Sequence, residues 1–471
     1  MIGRRLEIEE LERLYNSDES EFLAVYGRRR VGKTYLVRET FEGRFTFCHT
    51  GLANRSKREQ LKHFQASINE YGGNAKACPR NWLDAFELLK TLIANSGYGR
   101  KVVFIDEMPW MDTQKSDFLA SLESFWNGWA SAHKDILFIV CGSAASWLLK
   151  QLFRNKGGLH NRITSRIHLL PFTLHECEQY AAERGLVMTR KDIAECYMAL
   201  GGIPYYWRYL VKGLSLAQNF DRLFFAANAP MKHEFSELYS SLFGNAALYE
   251  KVVSALATKG CGMTRTELIE FLAIPATGKM TEVLETLEYS GFIRKYNMPS
   301  NKKQNSIYQL MDNFTLFHFR FLNESINDER FWENTAMSHT QSTWRGLAFE
   351  HLCLQHLSQI RKALGISGIH AEAYAWKTIR NVDNKPGAQI DLLLDRADNV
   401  INVCEMKYSA LPYAFDNKTL EDILTKIAVF KDATHTRKAL HLTMITSNGL
   451  LHNAYWNSIQ AEMDLNDLFE E

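Results

Sequence analysis

Strand-length apolar runs recur along the first third of the chain, at Phe22 to Tyr26, Lys101 to Ile105 and Ile136 to Cys141. Stretches of helical period separate them. Strands covered on both faces read as unbroken apolar runs rather than alternating ones, so this third predicts a parallel sheet layered with helices. The stretch Arg166 to Phe172 reads as its last strand.

Beyond it the pattern turns helical from Lys191 to Leu210, with a break at Gly201-Gly202, and this segment predicts part of a lid. Tyr249 to Leu256, Thr264 to Leu272 and Met280 to Leu287 then read as three helices, and Phe292 to Tyr296 and Ser306 to Leu310 as two strands around a polar loop. Three helices and a hairpin spell a winged helix. Phe314 to Phe321 is aromatic enough for a buried helix, Glu324 to Ser342 is a polar connector with Phe331 and Trp332 docked on a neighbouring surface, and Trp344 to Cys353 is helical again. Gly387 to Asp395 and Val400 to Lys407 read as paired strands.

The 471 residues leave room for about three domains, and 46% hydrophobic content supplies their cores. With 55 basic against 54 acidic residues, the net charge of +1 excludes a polybasic nucleic-acid coat, so any basic surface is local. The eight cysteines form no CxxC pair and are expected to be reduced and structural. His351 and His356, at spacing five, lie off a common helix face and make no zinc pair. The N-terminus turns charged at once and no apolar run approaches the ~20 residues that span a bilayer, so a cytoplasmic protein without membrane contact is expected.

Chemistry enters at Gly27-Arg28-Arg29-Arg30-Val31-Gly32-Lys33-Thr34, which is GxxxxGK[ST] between a strand and a helix. In that setting Gly27 and Gly32 let backbone N–H groups face phosphate oxygens, Lys33 adds charge near the outer phosphates, and Thr34 offers a hydroxyl to Mg²⁺. One arginine of the triplet approaches nucleotide and the others face solvent or an interface. The strand ending in Asp106-Glu107 reads as a Walker B segment, with Asp106 toward Mg²⁺ and Glu107 toward the attacking water. Ser143, after the third apolar run, is either a γ-phosphate sensor or a helix N-cap. ATP and Mg are therefore the expected cofactors.

These motifs make the chain resemble, over nearly its whole length, the bacterial and archaeal ATPases of the STAND branch of AAA+-like P-loop proteins that carry a C-terminal nuclease-like domain. Ile2 to Glu9 is similar to the family's entry segment beside the adenine, and Gly201-Gly202-Ile203-Pro204 to its GGxP lid motif, which makes Arg4 and Pro204 nucleotide-pocket candidates. The family places a glycine-arginine pair before the last core strand, where this chain has Asn161-Arg162. Arg162 is thus the candidate for stabilising γ-phosphate charge, with Arg166 as fallback and a surface ion pair as the alternative for either.

In the last third, Asp391 followed by Glu405-Met406-Lys407 is the core of a PD-(D/E)XK phosphodiesterase signature. Period two places Glu405 and Lys407 on one face, and two carboxylates with a lysine suit metal-assisted phosphodiester hydrolysis. A salt bridge between Lys407 and Asp391 is the alternative. By resemblance, Glu350 matches the acid that the first helix of such a fold contributes. A regular hairpin with loop residues Arg396 to Asn399 would set Asp391 opposite Cys404, so pairing with Glu405 requires an odd-length loop or a bulge.

The expected fold is α/β: a P-loop parallel sheet at 1–180 with a helical lid at 181–240, a winged helix at 241–323, a connector at 324–343, and a restriction-endonuclease-like α/β domain at 344–471. Lys302-Lys303 in the hairpin loop suits a phosphate contact, but Glu282, Glu285 and Glu288 on the presumed recognition helix oppose DNA. That module suits a protein partner, another copy of the chain or an interdomain contact better. The expected function is an ATP-hydrolysing switch controlling a Mg-dependent nuclease-like domain on DNA. The alternative is a nucleotide-responsive scaffold that binds DNA or protein without cleaving it.

Overall fold

Five strands build the first sheet: β1 (Glu21–Tyr26), β2 (Phe45–Thr50), β3 (Lys101–Asp106), β4 (Ile136–Cys141) and β5 (Ser165–His168). All pairings are parallel, in the order β2-β3-β4-β1-β5. The computed structural model describes residues 1–142, 147–153, 159, 161–297, 306–323, 326–336, 338–378 and 387–471. They divide into two compact units, Met1–Pro171 with Glu285–Gly291, and Phe172–Leu284 with Phe292–Glu471.

Strands β3 and β4 are buried at every position, which is why both appear in the sequence as continuous apolar runs. The edge strand β5 alternates instead and stops at His168, short of the expected Phe172. Leu169 still donates its N–H to the Tyr26 carbonyl, but Pro171 has no N–H with which to extend the ladder. Phe47, Phe64, Trp82, Phe86, Phe125 and Phe138 fill one core beside the sheet. Because β1 lies between β4 and β5, the loop that follows it emerges at the carboxyl edge, where open α/β sheets bind ligands.

The second unit opens with helices Leu174–Glu183 and Arg190–Leu200, each started by a capping box, at Thr173 with Glu176 and at Thr189 with Asp192. The Gly201-Gly202 break then has a steric cause. A Cβ on Gly202 would lie 1.9 Å from the Phe172 carbonyl oxygen, and Phe172 donates its N–H to Gly202 at 2.7 Å. Pro204 starts the short helix Pro204–Trp207, where its missing N–H costs nothing.

Helices Ala246–Ala257, Arg265–Leu272 and Gly278–Tyr289 follow, with β6 (Met263–Thr264), β7 (Ile293–Asn297) and β8 (Ser306–Leu310) forming an antiparallel sheet in the order β6-β8-β7. Lys302 and Lys303 lie outside the described residues. Phe314, Phe317 and Phe321 are buried, and Trp332 packs against Phe220, Phe317 and Trp344. The connector ends in helix. Ser338 caps a helix that runs His339–Gln355, so this segment passes into helix before residue 343.

The last sheet comprises β9 (Ala371–Lys377), β10 (Gln389–Arg396), β11 (Val400–Lys407), β13 (Ala439–Thr446) and β15 (Ala461–Met463), in the order β15-β13-β11-β10-β9. The pair β12 (Tyr413–Ala414) and β14 (Leu450–Leu451) is separate. Strands β9 to β11 are antiparallel to one another, whereas β11, β13 and β15 run parallel, and helix Asn417–Thr434 lies between β11 and β13 in the chain. Phe430 of that helix packs with Trp376, Leu393 and Val403 of the sheet.

Candidate functional site

Gly27 leaves β1 with φ 139°, and a Cβ there would sit 2.3 Å from the Leu169 carbonyl oxygen. Gly32, at φ 99°, starts the helix Lys33–Thr40. Between them Arg30 also adopts positive φ, so the loop is held in a geometry that few side chains tolerate. Arg28 is buried, and Arg29 and Arg30 are half-buried.

Lys33 is 6% exposed and turns its ammonium back to the carbonyls of Gly27 at 2.9 Å and Arg28 at 3.0 Å. Burial pushes its pKa down, and the acids Glu107 and Asp106 work against that shift. Across the loop, Thr34 donates its hydroxyl to Asp106 Oδ2 at 2.8 Å. The glycine-lined turn and the acidic strand tip therefore meet. Glu107 is half-buried with φ 46°, a left-handed conformation unusual for a glutamate, and donates its N–H to Asp106 Oδ1 at 3.0 Å.

Arg4, 6% exposed, donates to the carbonyls of Leu170 at 2.7 Å and Val31 at 3.2 Å, tying the end of the phosphate loop to the segment after β5. Arg162 is exposed in the turn before β5, and Arg166 lies over the Phe153 ring at 4.3 Å. Ser143 is outside the described residues. Pro204 lies in the second unit, at the start of its short helix. Cys141, expected to be a reduced structural thiol, is free and buried, and its pKa is pushed well up, first by burial and then by the neighbouring Asp106.

Residues 1–210 match a model of an ATPase domain found predominantly in Archaea. The protein is a P-loop ATPase. Its fold is similar to the Walker-type ATPase PABY2304 of Pyrococcus abyssi, at 19% identity and a TM-score of 0.50 over 68% of this chain and 96% of that one. The uncharacterised protein MJECL04 of Methanocaldococcus jannaschii is 24% identical over 373 residues, which is 77% of this chain and 78% of that protein. An ATP-binding protein of the same organism, MJ0423, is 42% identical over 43 residues, 9% of this chain and 73% of that protein. The ATPase match ends well before the last sheet, so the chemistry there is read from its own side chains.

Strands β10 and β11 pair Leu392 with Cys404, Leu393 with Val403, Leu394 with Asn402 and Asp395 with Ile401. The loop is thus odd in length, with Asn399 in the left-handed region at φ 64°. Continued by one step, this register sets Asp391 in line with Glu405. On its other side β10 bulges against β9 between Ile390 and Leu393, which re-aims the residues around Asp391.

Glu405 accepts from Lys407 at 2.8 Å and from Lys426 at 3.1 Å. Burial alone would raise its pKa, but the two lysines hold it below the usual carboxylate range. Burial pushes Glu350 up to about 8, helped by the charges of Asp391 and Glu405. Asp391 accepts from the Gln389 amide at 2.6 Å, so the expected alternative bridge to Lys407 is replaced by a Lys407–Glu405 pair. Among the described residues no three His, Cys, Asp or Glu side chains are grouped closely enough to hold a metal ion. The expected trio Glu350, Asp391 and Glu405 falls short because Glu405 turns to its lysines and Asp391 to Gln389. Lys426 was missed in the sequence, although it shares the apolar face of Ile423 and Phe430 at helical spacing. No helix among the described residues is long and apolar enough to cross a membrane.

Buried histidines give the protein a definite acid response. His356 accepts the Leu174 N–H at Nε2 and bonds the Leu352 carbonyl through Nδ1, which fixes the neutral ring. Burial lowers its pKa to about 4, as it does for His318 and His351, and lowers that of His49 to about 3. Between pH 6.5 and 4 the unfolded chain binds protons that the folded chain refuses, so these groups make stability fall as pH falls. Glu350 acts oppositely, because from pH 4.5 to about 8 the folded state keeps a proton the unfolded state has lost. Thermal melts should therefore show Tm rising from pH 4.5 to about 6.5 and then declining toward pH 8. In Glu350→Gln that upper decline should shrink, and an unchanged decline would refute the assignment.

Proposed function

We propose that this ATPase is a switch whose second unit carries a divalent-metal-dependent phosphodiesterase site of the PD-(D/E)XK type, acting on DNA. The observation that supports the nuclease part is the β10–β11 register, which continued by one step would set Asp391 against Glu405, with Lys407 paired to Glu405. On this reading residues 1–180 form the ATPase core, 181–240 its lid, 241–323 a winged helix, 324–343 a connector and 344–471 the nuclease-like domain. The helix order and the β6-β8-β7 sheet support the winged helix, which we assign to a protein partner or a second copy rather than to base readout.

At the nucleotide, Thr34 and Asp106 fit a Mg²⁺ ion, since a hydroxyl and a carboxylate, both hard oxygen donors, already share one place. The bound ion supplies charge neutralisation at the β- and γ-phosphates. Lys33 exchanges its loop carbonyls for phosphate oxygens, Glu107 orients the attacking water, and Arg162 meets the γ-phosphate. Arg4 acts by fixing the loop, and Pro204 by shaping the lid.

At the second site, Asp391 and Glu405 provide the oxygen donors for a divalent ion, with Glu350 beside them, and that ion when bound polarises the phosphoryl group. Lys407 orients water or meets the charge developing on phosphate. Glu405 is kept ionised by its two lysines, ready to release them to a cation. A nuclease assay on single- and double-stranded DNA with Mg²⁺ or Mn²⁺, under ATP, ADP and no nucleotide, tests the proposal. Cleavage that depends on nucleotide and is lost in Asp391→Ala and Glu405→Ala, with ATPase retained, is the expected result.

One observation favours a second reading, a nucleotide-responsive scaffold without turnover: the carboxylate pair is already committed to lysine and amide partners. No nicking under any nucleotide, with DNA or protein binding unaffected by the two substitutions, would establish that reading instead.

A further inference from the structure

A cavity of about 620 Å³ lies in the second unit beside Glu350 and Asp391, separate from the recess that Glu405, Lys407 and Lys426 line. Its volume is in the class of sites that enclose a small organic ligand, roughly 300–1,000 Å³. Met198, Leu316, Phe319 and Trp344 give it an apolar and partly aromatic wall. Lys259 and Arg320 stand exposed among its lining residues, and among the described residues neither is in an ion pair.

Those features select a ligand class. A bare phosphate would use the two cations but leave the apolar wall unfilled, and an alkyl chain would fill the wall without the flat contact that two aromatic side chains offer. A planar base joined to a phosphate meets both. We propose that this cavity binds a single nucleotide unit, its base against Phe319 and Trp344 and its phosphate at Lys259 and Arg320. The unit is either a free mononucleotide or an unpaired residue of a strand. The second source rests on the nuclease reading, and it would specify that the substrate must present an unpaired base next to Asp391.

The test uses the full-length protein in EDTA, so that cleavage plays no part, with fluorescein-labelled thymidine pentanucleotide read by anisotropy. Binding should weaken at least tenfold in Lys259→Glu/Arg320→Glu, whose sites are exposed and leave the core alone. It should also weaken at least fivefold in Phe319→Ala, a change that no general charge effect would mimic. Lys431→Glu, an exposed charge on helix Asn417–Thr434, should stay within twofold of wild type. Competition by dTMP would assign the site to free nucleotides as well, and strand binding without such competition would assign it to strands; either supports the inference. Affinity unchanged in the charge reversal or in Phe319→Ala would overturn it, as would equal affinity for a blunt duplex with no unpaired residue. Failure to cleave under any condition with pentanucleotide binding intact sinks the nuclease reading alone, whereas cleavage with these variants indifferent sinks only the cavity.

Discussion

Lys33→Ala should lower kcat/KM for ATP by about 10²- to 10³-fold, the usual cost of removing one preorganised charge from a transition state. The ammonium is buried and held by two carbonyls of its own loop, so it is poised where phosphate oxygens will lie and needs little reorganisation. Folding should survive. Burial already disfavours the charged form of this lysine, and alanine removes that penalty together with the two hydrogen bonds. Lys33→Arg should not rescue, since a planar guanidinium does not fit a point-charge position enclosed by the loop. Steady-state phosphate release with purified protein decides the matter, and activity within threefold of wild type would remove Lys33 from the chemistry.

Gly27→Ala and Gly32→Ala should differ sharply although both residues belong to one motif. At Gly27 the new methyl would fall 2.3 Å from the Leu169 carbonyl oxygen, and Leu169 is fastened to Tyr26 by a backbone hydrogen bond, so strand or loop must move. At Gly32 nothing lies within 4 Å, and only the left-handed backbone opposes alanine, at about 1 kcal/mol. We expect Gly27→Ala to abolish ATP binding and to lower Tm by several degrees, with a cost of about 2–3 kcal/mol. Gly32→Ala should retain a measurable fraction of both. Calorimetric ATP titration and melting of the two variants test this directly, and equal behaviour would show that the contact with Leu169 is unimportant.

The order of helices and strands was largely legible because local rules agreed with the fold. Lys101 to Asp106 reads as a buried strand and is buried at every position, and the helical reading from Lys191 to the Gly201-Gly202 break matches the helix Arg190–Leu200. Where the outcome depends on distant elements, the local pattern was silent. Which arginine of the triplet turns inward was left open, and it is Arg28 that is buried. Cys141 is the core thiol its apolar run suggested, with Asp106 as a neighbour that only the tertiary structure supplies. Lys426 sits 19 residues beyond Lys407 in a helix whose place on the sheet no local pattern states, so its ion pair with Glu405 was invisible.

By itself the sequence determined the phosphate loop, the acidic strand tip and the E-x-K strand, because each is a run of a few neighbours whose spacing fixes its own geometry. Only the tertiary structure decided that Thr34 meets Asp106 and that Cys404 lies opposite Leu392 rather than Asp391. It also decided that Glu405 is balanced by two lysines from different elements. Those outcomes depend on strand order, on a loop of odd length and on one helix crossing, and such long-range choices follow from packing and register, which no stretch of consecutive residues encodes.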